Sequence, residues 1–357
     1  MKDNIKVLYL YSGTRKDKFC GKVGIDYPDT QFYGLNYLSQ FGIEADYKEF
    51  SDFIKNKFLN KFLGFRTKHL LLYFLTNSYN VVFGSSLLFM MIFKKIFKPK
   101  TKFVLLNIGF TRMVSANKDN KLKLKLIEWL VKELDGIVCL SNTQKQHLQN
   151  KFPELKKKIF FVPLGVDKIF YKPNYKDRMN YILSVGRDNG RDYKTVIDVA
   201  RLMPKEEFYI VCSKRNLKEI TNIPSNVKFF YDLPFIEVNK KYQEAKLLLL
   251  ITHNDNFLDG SDCSGQTVLL DAMASGLPVI ATKKRYLDDY IENNNEILTV
   301  DFYNTNSIKE KITILNNDNK LYFKLAKNAR KKVEKDFSTK NMAKNLAFVF
   351  SLVKNKN

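Results

Sequence analysis

Short apolar runs alternate with helical periods along the first half of the chain. The run KVLYLY at 6–11 predicts a buried strand that ends at a Ser-Gly turn. Similar runs predict strands at 43–50, 80–84, 102–107, 136–140 and 159–162. Helical periods lie between them, most clearly at 32–40 and 121–134. Strands that alternate with helices in this way form a parallel sheet covered by helices.

The same pattern starts again after a proline-containing segment near residue 163. Further strands are predicted at 181–186, 207–212, 227–230, 247–251 and 278–282, and a helix at 339–353. A length of 357 residues is enough for two domains. We therefore predict an α/β fold with two Rossmann-like domains at 1–165 and 181–335, a linker at 166–180, and a C-terminal helix at 336–357 that packs back toward the first domain. A ligand cleft is expected at the carboxyl ends of the strands.

The composition indicates an anionic partner. Lys and Arg outnumber Asp and Glu by 60 to 37, which gives a net charge of +23. A nucleic acid, a lipid headgroup surface or a phosphorylated substrate would suit that charge. The four cysteines form no CxxC pair and the three histidines form no HExxH motif, so a disulfide framework, a zinc site and a histidine-centred triad are all disfavoured. The N-terminus lacks the apolar core of a signal peptide, and we expect a cytoplasmic protein.

A turn with two arginines follows the apolar run at 181–186. Arg187 and Arg191 lie near Gly186 and Gly190, which let a ligand approach the backbone. A guanidinium group matches the oxygens of a phosphate, so this turn is a candidate diphosphate site. A solvated basic turn is the alternative, and the turn alone does not decide between them.

A second loop, at 261–267, leads into the helical sequence VLLDAMASG. Ser264 is a candidate N-cap, and the free N–H groups of a helix start favour phosphate. Asp271 lies four residues after Thr267, so the two can share a helix face. A carboxylate at that place could accept hydrogen bonds from a ribose diol. A surface aspartate on a capped helix fits the same spacing, and both interpretations stay open.

Two blocks of sequence together resemble the donor domain of family-four glycosyltransferases of the GT-B fold. They are ILSVGRDNGRDYKTVIDVA at 182–200 and CSGQTVLLDAMASGLPVIAT at 263–282, and the similarity extends from residue 121 to the C-terminus. The resemblance implies two Rossmann-like domains with parallel sheets that face each other across a cleft. It also implies a hexosyltransferase-type enzyme that uses a nucleotide-sugar donor, retains the anomeric configuration, and needs no metal or other cofactor.

The resemblance assigns roles to individual residues. Arg187 would hold the donor diphosphate, together with Arg191 or Lys194, because the family's nearby lysine falls at Asp192 here. The family's paired glutamates fall at Cys263 and Asp271. Asp271 would bind the ribose, whereas Cys263 lacks the carboxylate that contacts the transferred sugar, and Asp262 could substitute for it. The sugar and the β-phosphate would be contacted by Gly186, Ser264, Gly265, Gln266 and Thr267, and catalysis would rest on Arg187, Arg191 and Asp271.

Acceptor contacts are expected from the first domain. Two turns there follow predicted strands and are expected to face the cleft. The candidates are Ser12, Gly13, Thr14, Asn107 and Gly109.

A basic amphipathic segment at 53–66 suits an anionic membrane surface. Residues 53–118 contain 12 basic residues and no acidic residue, which favours this interpretation over a helix packed into the core. The apolar stretch at 70–93 is interrupted too often to span a bilayer. We expect a peripheral protein on the cytoplasmic face of the membrane; the candidate contacts are Lys55, Lys57, Phe58, Lys61, Phe62 and Arg66.

The expected function is transfer of a sugar to a glycan or lipid-linked acceptor in surface polysaccharide biosynthesis. Other enzymes with a GT-B-like fold, such as a sugar-nucleotide epimerase or a phosphorylase, are the alternative within the same class. A basic nucleic-acid-binding protein is the alternative from another class, although no RNA-binding motif is present and no nucleic-acid partner is expected. Cys263 also leaves open a binding module that has lost its activity.

Overall fold

The chain forms two compact units. Unit 1 comprises Met1–Gly21, Gln31–Pro163 and Lys340–Asn357, and unit 2 comprises Lys22–Thr30 and Leu164–Thr339. The computed structural model describes residues 5–13, 15, 23, 25–49, 73–74, 76–175, 178–218, 220–257 and 259–355. The expected linker at 166–180 is not a separate connection, because its described residues belong to unit 2. The Asp167 carboxylate, for example, accepts hydrogen bonds from the backbone N–H groups of Asp29 and Phe170, both at 2.9 Å.

Unit 1 contains a six-stranded parallel sheet with the order β2-β1-β3-β4-β5-β6. All six predicted strands are present. Their bounds are β1 Ile5–Tyr11, β2 Ile43–Glu49, β3 Val81–Gly84, β4 Lys102–Leu106, β5 Gly136–Cys139 and β6 Ile159–Phe161. The strand order reverses between β1 and β3, so the ligand crevice of this unit is expected beyond the carboxyl ends of those two strands.

Four described α-helices follow the strands of unit 1. They are α1 Met91–Phe97, α2 Phe110–Ala116, α3 Lys121–Val131 and α4 Asn142–Lys151. Short 3₁₀ segments lie at Thr76–Ser78, Leu88–Met90 and Pro153–Lys158. Apolar side chains of these helices and of the central strands form one core, which includes Leu8, Met91, Phe103, Val131 and Leu148.

The helix predicted at 32–40 is instead a pair of 3₁₀ segments, Asp29–Phe32 and Leu35–Phe41. Tyr33 and Gly34 separate them, and both have positive φ angles, 51° and 80°. A Cβ on Gly34 would lie 2.9 Å from the backbone nitrogen of Ala343. The regular helix is therefore broken at Gly34, where the backbone of Ala343 packs closely against it.

Unit 2 contains a second six-stranded parallel sheet with the order β12-β11-β10-β7-β8-β9. Five of its strands are predicted by apolar runs; the short β12 is not. The bounds are β7 Tyr181–Val185, β8 Glu207–Cys212, β9 Val227–Tyr231, β10 Leu247–Leu250, β11 Val279–Thr282 and β12 Leu298–Val300. Here the strand order reverses between β7 and β10, so the loops after these strands flank the crevice.

The helices of unit 2 are α5 Tyr193–Leu202, α6 Phe235–Glu244, α7 Gln266–Ala274, α8 Thr305–Asn317 and α9 Asn319–Asp336, with 3₁₀ segments at Lys214–Leu217 and Arg285–Asp289. The predicted closing helix is α10, Thr339–Lys354. From Lys340 onward it belongs to unit 1. The structure thus has the two parallel sheets that the sequence predicts.

Candidate functional site

The loops after β7 and β10 are joined directly at the switch point of unit 2. Asp188 Oδ1 accepts hydrogen bonds from the backbone N–H groups of Gly190 at 2.8 Å and Ser261 at 3.2 Å. Asn189 Nδ2 donates to Asp259 Oδ2 at 2.8 Å. The arginine turn and the segment that precedes α7 therefore contact each other. The interpretation of both as parts of one phosphate site requires this contact. Asp188, which fastens them, is not among the predicted site residues.

Glycines allow the two loops to touch backbone to backbone. A Cβ on Gly260 would lie 2.5 Å from the Cα of Gly190, and a Cβ on Gly190 would lie 2.7 Å from Ser264 Oγ. Contacts this short exclude any side chain at either position without a backbone shift. The residue type at these positions is thus fixed by close approach of the loops.

Arg191 lies between the end of β7 and the start of α7. A Cβ on Gly186 would overlap Arg191 Nε, and a Cβ on Gly265 would lie 2.6 Å from Arg191 Nη1. Both glycines have positive φ angles, 151° and 101°. The two glycines make room for the guanidinium group where a helix terminus and a strand terminus converge.

The guanidinium group of Arg191 is buried and forms no ion pair with a described residue. The residue is only 6% exposed, and neither Nε nor Nη1 has a hydrogen-bond partner among the described residues. A buried cation without a partner is costly, since it has lost its hydration and gained nothing in return. An anion that enters from solvent would remove this cost, so the position is suited to bind a phosphate group.

The start of α7 presents further unused polar groups. Gly265, not Ser264, is the N-cap residue, and it supplies no side-chain cap. The Ser264 hydroxyl is buried and has no hydrogen-bond partner within the described structure. An uncapped helix N-terminus, a hydroxyl and a guanidinium group together form the typical donor set of a phosphate site. The predicted N-cap role of Ser264 is therefore wrong, and its hydroxyl remains available to a ligand.

The other two predicted cations point away from α7. Arg187 is exposed, and its Nη2 lies 3.5 Å from Asp232 Oδ1 beyond β9. Lys194 is exposed on α5 and forms an ion pair with Asp198 at 3.1 Å. Of the three cations, Arg191 alone reaches the helix start. The diphosphate role predicted for Arg187 and Lys194 stays untested, but their side chains lie elsewhere on this edge.

Asp192 occupies the place of the family's lysine and has a structural role. Its Oδ1 accepts a hydrogen bond from the backbone N–H of Thr195 at 3.0 Å, and its Oδ2 accepts one from the Thr195 hydroxyl at 2.5 Å. These bonds cap the start of α5. Capping by Asp192 fixes the end of the arginine turn, which leaves the adjacent Arg191 to face α7.

Asp271 is a buried residue of α7, which excludes the interpretation as a surface aspartate. Its carboxyl group forms a hydrogen bond with the Tyr171 hydroxyl, and its Oδ1 has no partner among described residues. Burial raises the pKa of the Asp271 carboxyl well above its usual range. Thr267, which the helical period placed on the same face, is exposed. Ribose binding by Asp271 stays a prediction.

The remaining predicted donor residues differ in accessibility. The Gln266 side chain is buried and donates from Nε2 to the Tyr290 hydroxyl at 2.8 Å, so it holds a core tyrosine in place. Cys263 and Asp262 are half-buried in the loop, where Asp262 Oδ1 accepts a hydrogen bond from the Cys263 backbone N–H at 3.1 Å. Asp262 thus lies beside the position at which the family has a glutamate.

Lys284 is a site residue that the sequence analysis missed. It follows β11 and is almost fully buried; its ammonium lies 3.8 Å from Asp255 Oδ1. Burial lowers the pKa of Lys284, with the charges of Asp255, Cys263 and Asp262 acting in the opposite direction. Tyr286 follows it and donates from its hydroxyl to the Ser264 carbonyl at 3.0 Å. The position of Lys284 directly after an apolar run was the signal available in the sequence.

Unit 1 has a cavity of about 180 Å³ at its own switch point. Residues after β1, β3 and β4 line it, including Tyr11, Ser12, Tyr33, Ser85 and Ile108. Ser12 is thus the predicted acceptor residue that lines a cavity. The lining combines four aromatic side chains with Arg15, whereas Arg191 and Lys284 are both buried at the edge of unit 2.

The other acceptor candidates lie around the same edge or outside the described structure. Asn107 is fully buried and donates from Nδ2 to Thr111 Oγ1 at 2.7 Å, so its side chain holds the loop and is not free for a ligand. Gly109 is the N-cap residue of α2, with a φ of 82°. Gly13 is exposed next to Ser12. Thr14 lies outside the described residues.

Two further expectations concern metals and membranes. The described residues contain no group of three or more His, Cys, Asp or Glu side chains that could hold a metal ion. In the described part of the chain, no helix combines the length and the apolar character needed to cross a bilayer. The membrane candidates lie outside the described residues; they are Lys55, Lys57, Phe58, Lys61, Phe62 and Arg66.

Comparisons with known proteins agree with the fold. Residues 166–332 match the family model described as glycosyl transferases group 1. No curated protein sequence matches the chain. HepE of Anabaena, solved with UDP and glucose, is 15% identical with a TM-score of 0.72, over 97% of this chain and 99% of that one. Sucrose-phosphate synthase of Thermosynechococcus elongatus is 13% identical with a TM-score of 0.74, over 98% and 99%.

A glycosyltransferase of Rickettsia africae is 16% identical with a TM-score of 0.68, over 99% of this chain and 100% of that one. Identities this low establish a shared fold, and all three similarities extend over both units. The GT-B fold and the resemblance found in the sequence are thus confirmed. Residues 166–332 match the model of glycosyl transferases group 1, and the chain shares the GT-B fold of these neighbours.

Proposed function

We propose that the enzyme transfers a hexose from a nucleoside-diphosphate sugar to a glycan or lipid-linked acceptor, with retention of the anomeric configuration. One observation carries the donor assignment. Nε and Nη1 of the buried Arg191 guanidinium group have no hydrogen-bond partner among the described residues, and the group lies at the start of α7, which has no side-chain cap. A diphosphate supplies the missing anion. Surface polysaccharide biosynthesis is the process proposed for this reaction.

Arg191 stabilises the leaving group in this mechanism. As the bond between the anomeric carbon and the diphosphate oxygen breaks, negative charge develops on that oxygen. The guanidinium group, the N–H groups at the start of α7 and the Ser264 hydroxyl are already in place to receive it. The leaving phosphate then accepts the proton of the acceptor hydroxyl, so the reaction needs neither a separate base nor a metal.

The comparisons support a uridine nucleotide as the first donor to test. The HepE structures hold UDP, UDP with glucose, or UDP-glucose. The tyrosine-lined cavity of unit 1 supports an acceptor with sugar hydroxyls, because aromatic rings and serine hydroxyls can contact the two kinds of surface of a sugar. The peripheral location predicted from residues 53–66 stays a prediction.

The donor assignment is tested by UDP binding and by transfer from UDP-sugars. UDP raises the melting temperature of the wild-type protein, since a ligand that binds only the folded state stabilises it by mass action. Arg191→Met loses that stabilisation, and its kcat/KM falls by about 100-fold to 1,000-fold, the effect of removing one preorganised donor. Arg201→Met is the matched control, because it removes the same guanidinium charge from an exposed position near the C-terminal end of α5.

Equal stabilisation of wild type and Arg191→Met by UDP would contradict the donor site. Equal losses of activity in Arg191→Met and Arg201→Met would show that the effect comes from net charge alone. A third outcome identifies the alternative enzyme: free isomers of the sugar nucleotide that form without an acceptor would indicate an epimerase.

A further inference from the structure

Two neighbouring helices of unit 1 carry large apolar side chains that face solvent. On α3, Leu122, Leu126 and Trp129 are each between 41% and 83% exposed. Their spacing of four and three residues aligns them in one stripe along the helix. On α1, Ile96 and Phe97 are 64% and 52% exposed. Grouped exposure of this kind marks an interaction surface.

The two helices meet, which brings their exposed residues to neighbouring parts of the surface of unit 1. The ammonium of Lys95 on α1 lies 4.8 Å from the centre of the Trp129 ring. Phe97 continues the surface to Phe74, with 5.7 Å between the ring centres. We call this set of six the apolar face; it comprises Phe74, Ile96, Phe97, Leu122, Leu126 and Trp129.

Lysines surround the apolar face. Five of them are exposed and form no ion pair with any described residue; they are Lys98, Lys100, Lys121, Lys123 and Lys125. Residues 94–125 contain ten basic residues and one acidic residue, Asp119. Lys98 and Lys100 also line an open cavity of about 720 Å³ next to the rings of Phe74 and Phe97. The surface thus combines an apolar centre with a cationic margin.

We propose that the apolar face docks on a bilayer that contains anionic lipids, with α1 and α3 lying parallel to the membrane plane. Leucine, isoleucine and phenylalanine side chains would insert among the acyl chains, while the indole of Trp129 would lie at the headgroup level. The lysines can extend their ammonium groups to the lipid phosphates. This surface consists of described residues alone.

Charge and chemistry favour a membrane over two other occupants. A second copy of the chain would bring two cationic margins together, which is repulsive. A nucleic acid would satisfy the charge, and its bases could stack on the three aromatic rings of the face. It would leave the aliphatic side chains of Leu122, Leu126 and Ile96 without an apolar partner, whereas acyl chains cover both kinds of side chain. The proposal does not depend on the donor site, so it stands or falls separately from the proposed reaction.

Trp129 is the only tryptophan of the sequence, so its fluorescence reports on this surface alone. Vesicles with about 30% phosphatidylglycerol in phosphatidylcholine are added to the full chain and compared with pure phosphatidylcholine vesicles. The anionic vesicles shift the emission to shorter wavelength, brominated acyl chains quench it, and salt weakens the binding. Pure phosphatidylcholine produces a much smaller change.

Charge reversal on α3 tests the cationic margin. The triple variant Lys121→Glu, Lys123→Glu, Lys125→Glu binds the anionic vesicles at least about 100-fold more weakly. The matched control is Lys320→Glu, Lys324→Glu, Lys327→Glu on α9, which makes the same charge change at three exposed positions of unit 2. The control retains most of its affinity.

Each of the following results would overturn the proposal. The emission of Trp129 stays unchanged with anionic vesicles, or the two triple variants lose equal affinity. Alternatively, self-association of the protein without lipid, or a single-stranded oligonucleotide, buries Trp129 as fully as the vesicles do. Because the fluorescence test uses the wild-type chain, it holds even where a variant fails to fold.

Discussion

The two units have similar sheets but different chemistry at the point where the strand order reverses. In unit 2 the crevice lies beyond β7 and β10, and it holds the buried Arg191 and an uncapped helix start. In unit 1 the crevice lies beyond β1 and β3, and its lining includes three tyrosines, two serines and Arg15. A parallel sheet thus provides the position of a ligand site, whereas the side chains after the strands decide which ligand binds.

Each crevice has a glycine at its edge, and the two glycines are needed for different reasons. A Cβ on Gly84 would lie 2.5 Å from the Leu10 carbonyl oxygen, so this glycine allows β1 and β3 to pack. A Cβ on Gly186 would overlap the guanidinium group of Arg191, so this glycine makes room for a functional side chain. The first residue serves stability and the second serves binding, and substitutions can separate the two.

Substitution of these glycines should give the largest effect and separate the two crevices. Gly186→Ala displaces Arg191, and we expect UDP affinity to fall by about 100-fold, the size of a lost charge-assisted contact set. Gly84→Ala should instead lower the free energy of unfolding by about 1–3 kcal/mol through overpacking, with unchanged UDP affinity of the folded fraction. Calorimetric titration with UDP and denaturant unfolding measure both quantities. The comparison fails if Gly84→Ala impairs UDP binding as much as Gly186→Ala does.

Serines at the crevice of unit 1 should affect the acceptor and not the donor. Ser12→Ala and Ser85→Ala each remove one hydroxyl from the cavity lining. We expect the acceptor KM to rise by about fivefold to tenfold, corresponding to one hydrogen bond, while UDP affinity stays constant. Ser351→Ala is the matched control, since its hydroxyl donates to the Ala347 carbonyl within α10. A loss of UDP affinity in Ser12→Ala or Ser85→Ala would assign the cavity to the donor instead.

Asp271 should make the free energy of unfolding of unit 2 depend on pH. We expect this effect to be smaller than those of the glycine and serine substitutions. Because burial raises the pKa of the folded-state carboxyl, its contribution to stability is fully present below the unfolded pKa of about 4 and is lost as the pH rises through the folded value. Asp271→Asn should remove this loss and leave the protein more stable than wild type at neutral pH by about 1 kcal/mol. Denaturant unfolding at several pH values measures it.

The exposed Asp288 provides the control for that experiment. Asp288→Asn should leave the difference in stability between acidic and neutral pH as it is in wild type. An Asp271→Asn variant that is less stable than wild type at neutral pH would show that the carboxylate is charged and paired in the folded protein.

Most of the fold is predictable from the sequence because each buried strand needs a local apolar run. Eleven of the twelve described strands coincide with such runs, and β12 was missed because only Leu298–Val300 is involved. The period at 32–40 predicted a regular helix but could not reveal the close approach of Ala343 at Gly34, which comes from a segment some three hundred residues away. Local patterns do not contain such contacts.

The sequence by itself determined the two parallel sheets, the donor-domain resemblance and the pair of loops that hold the candidate site. Only the tertiary structure decided which of the three cations near the turn faces the helix start, and that residue is Arg191, held between Gly186 and Gly265. It also showed that Asp271 is buried and that Lys284 lies at the same edge. The physical reason is that spacing along the chain fixes the strand or helix to which a residue belongs, whereas the direction of a side chain from a loop depends on contacts between distant segments.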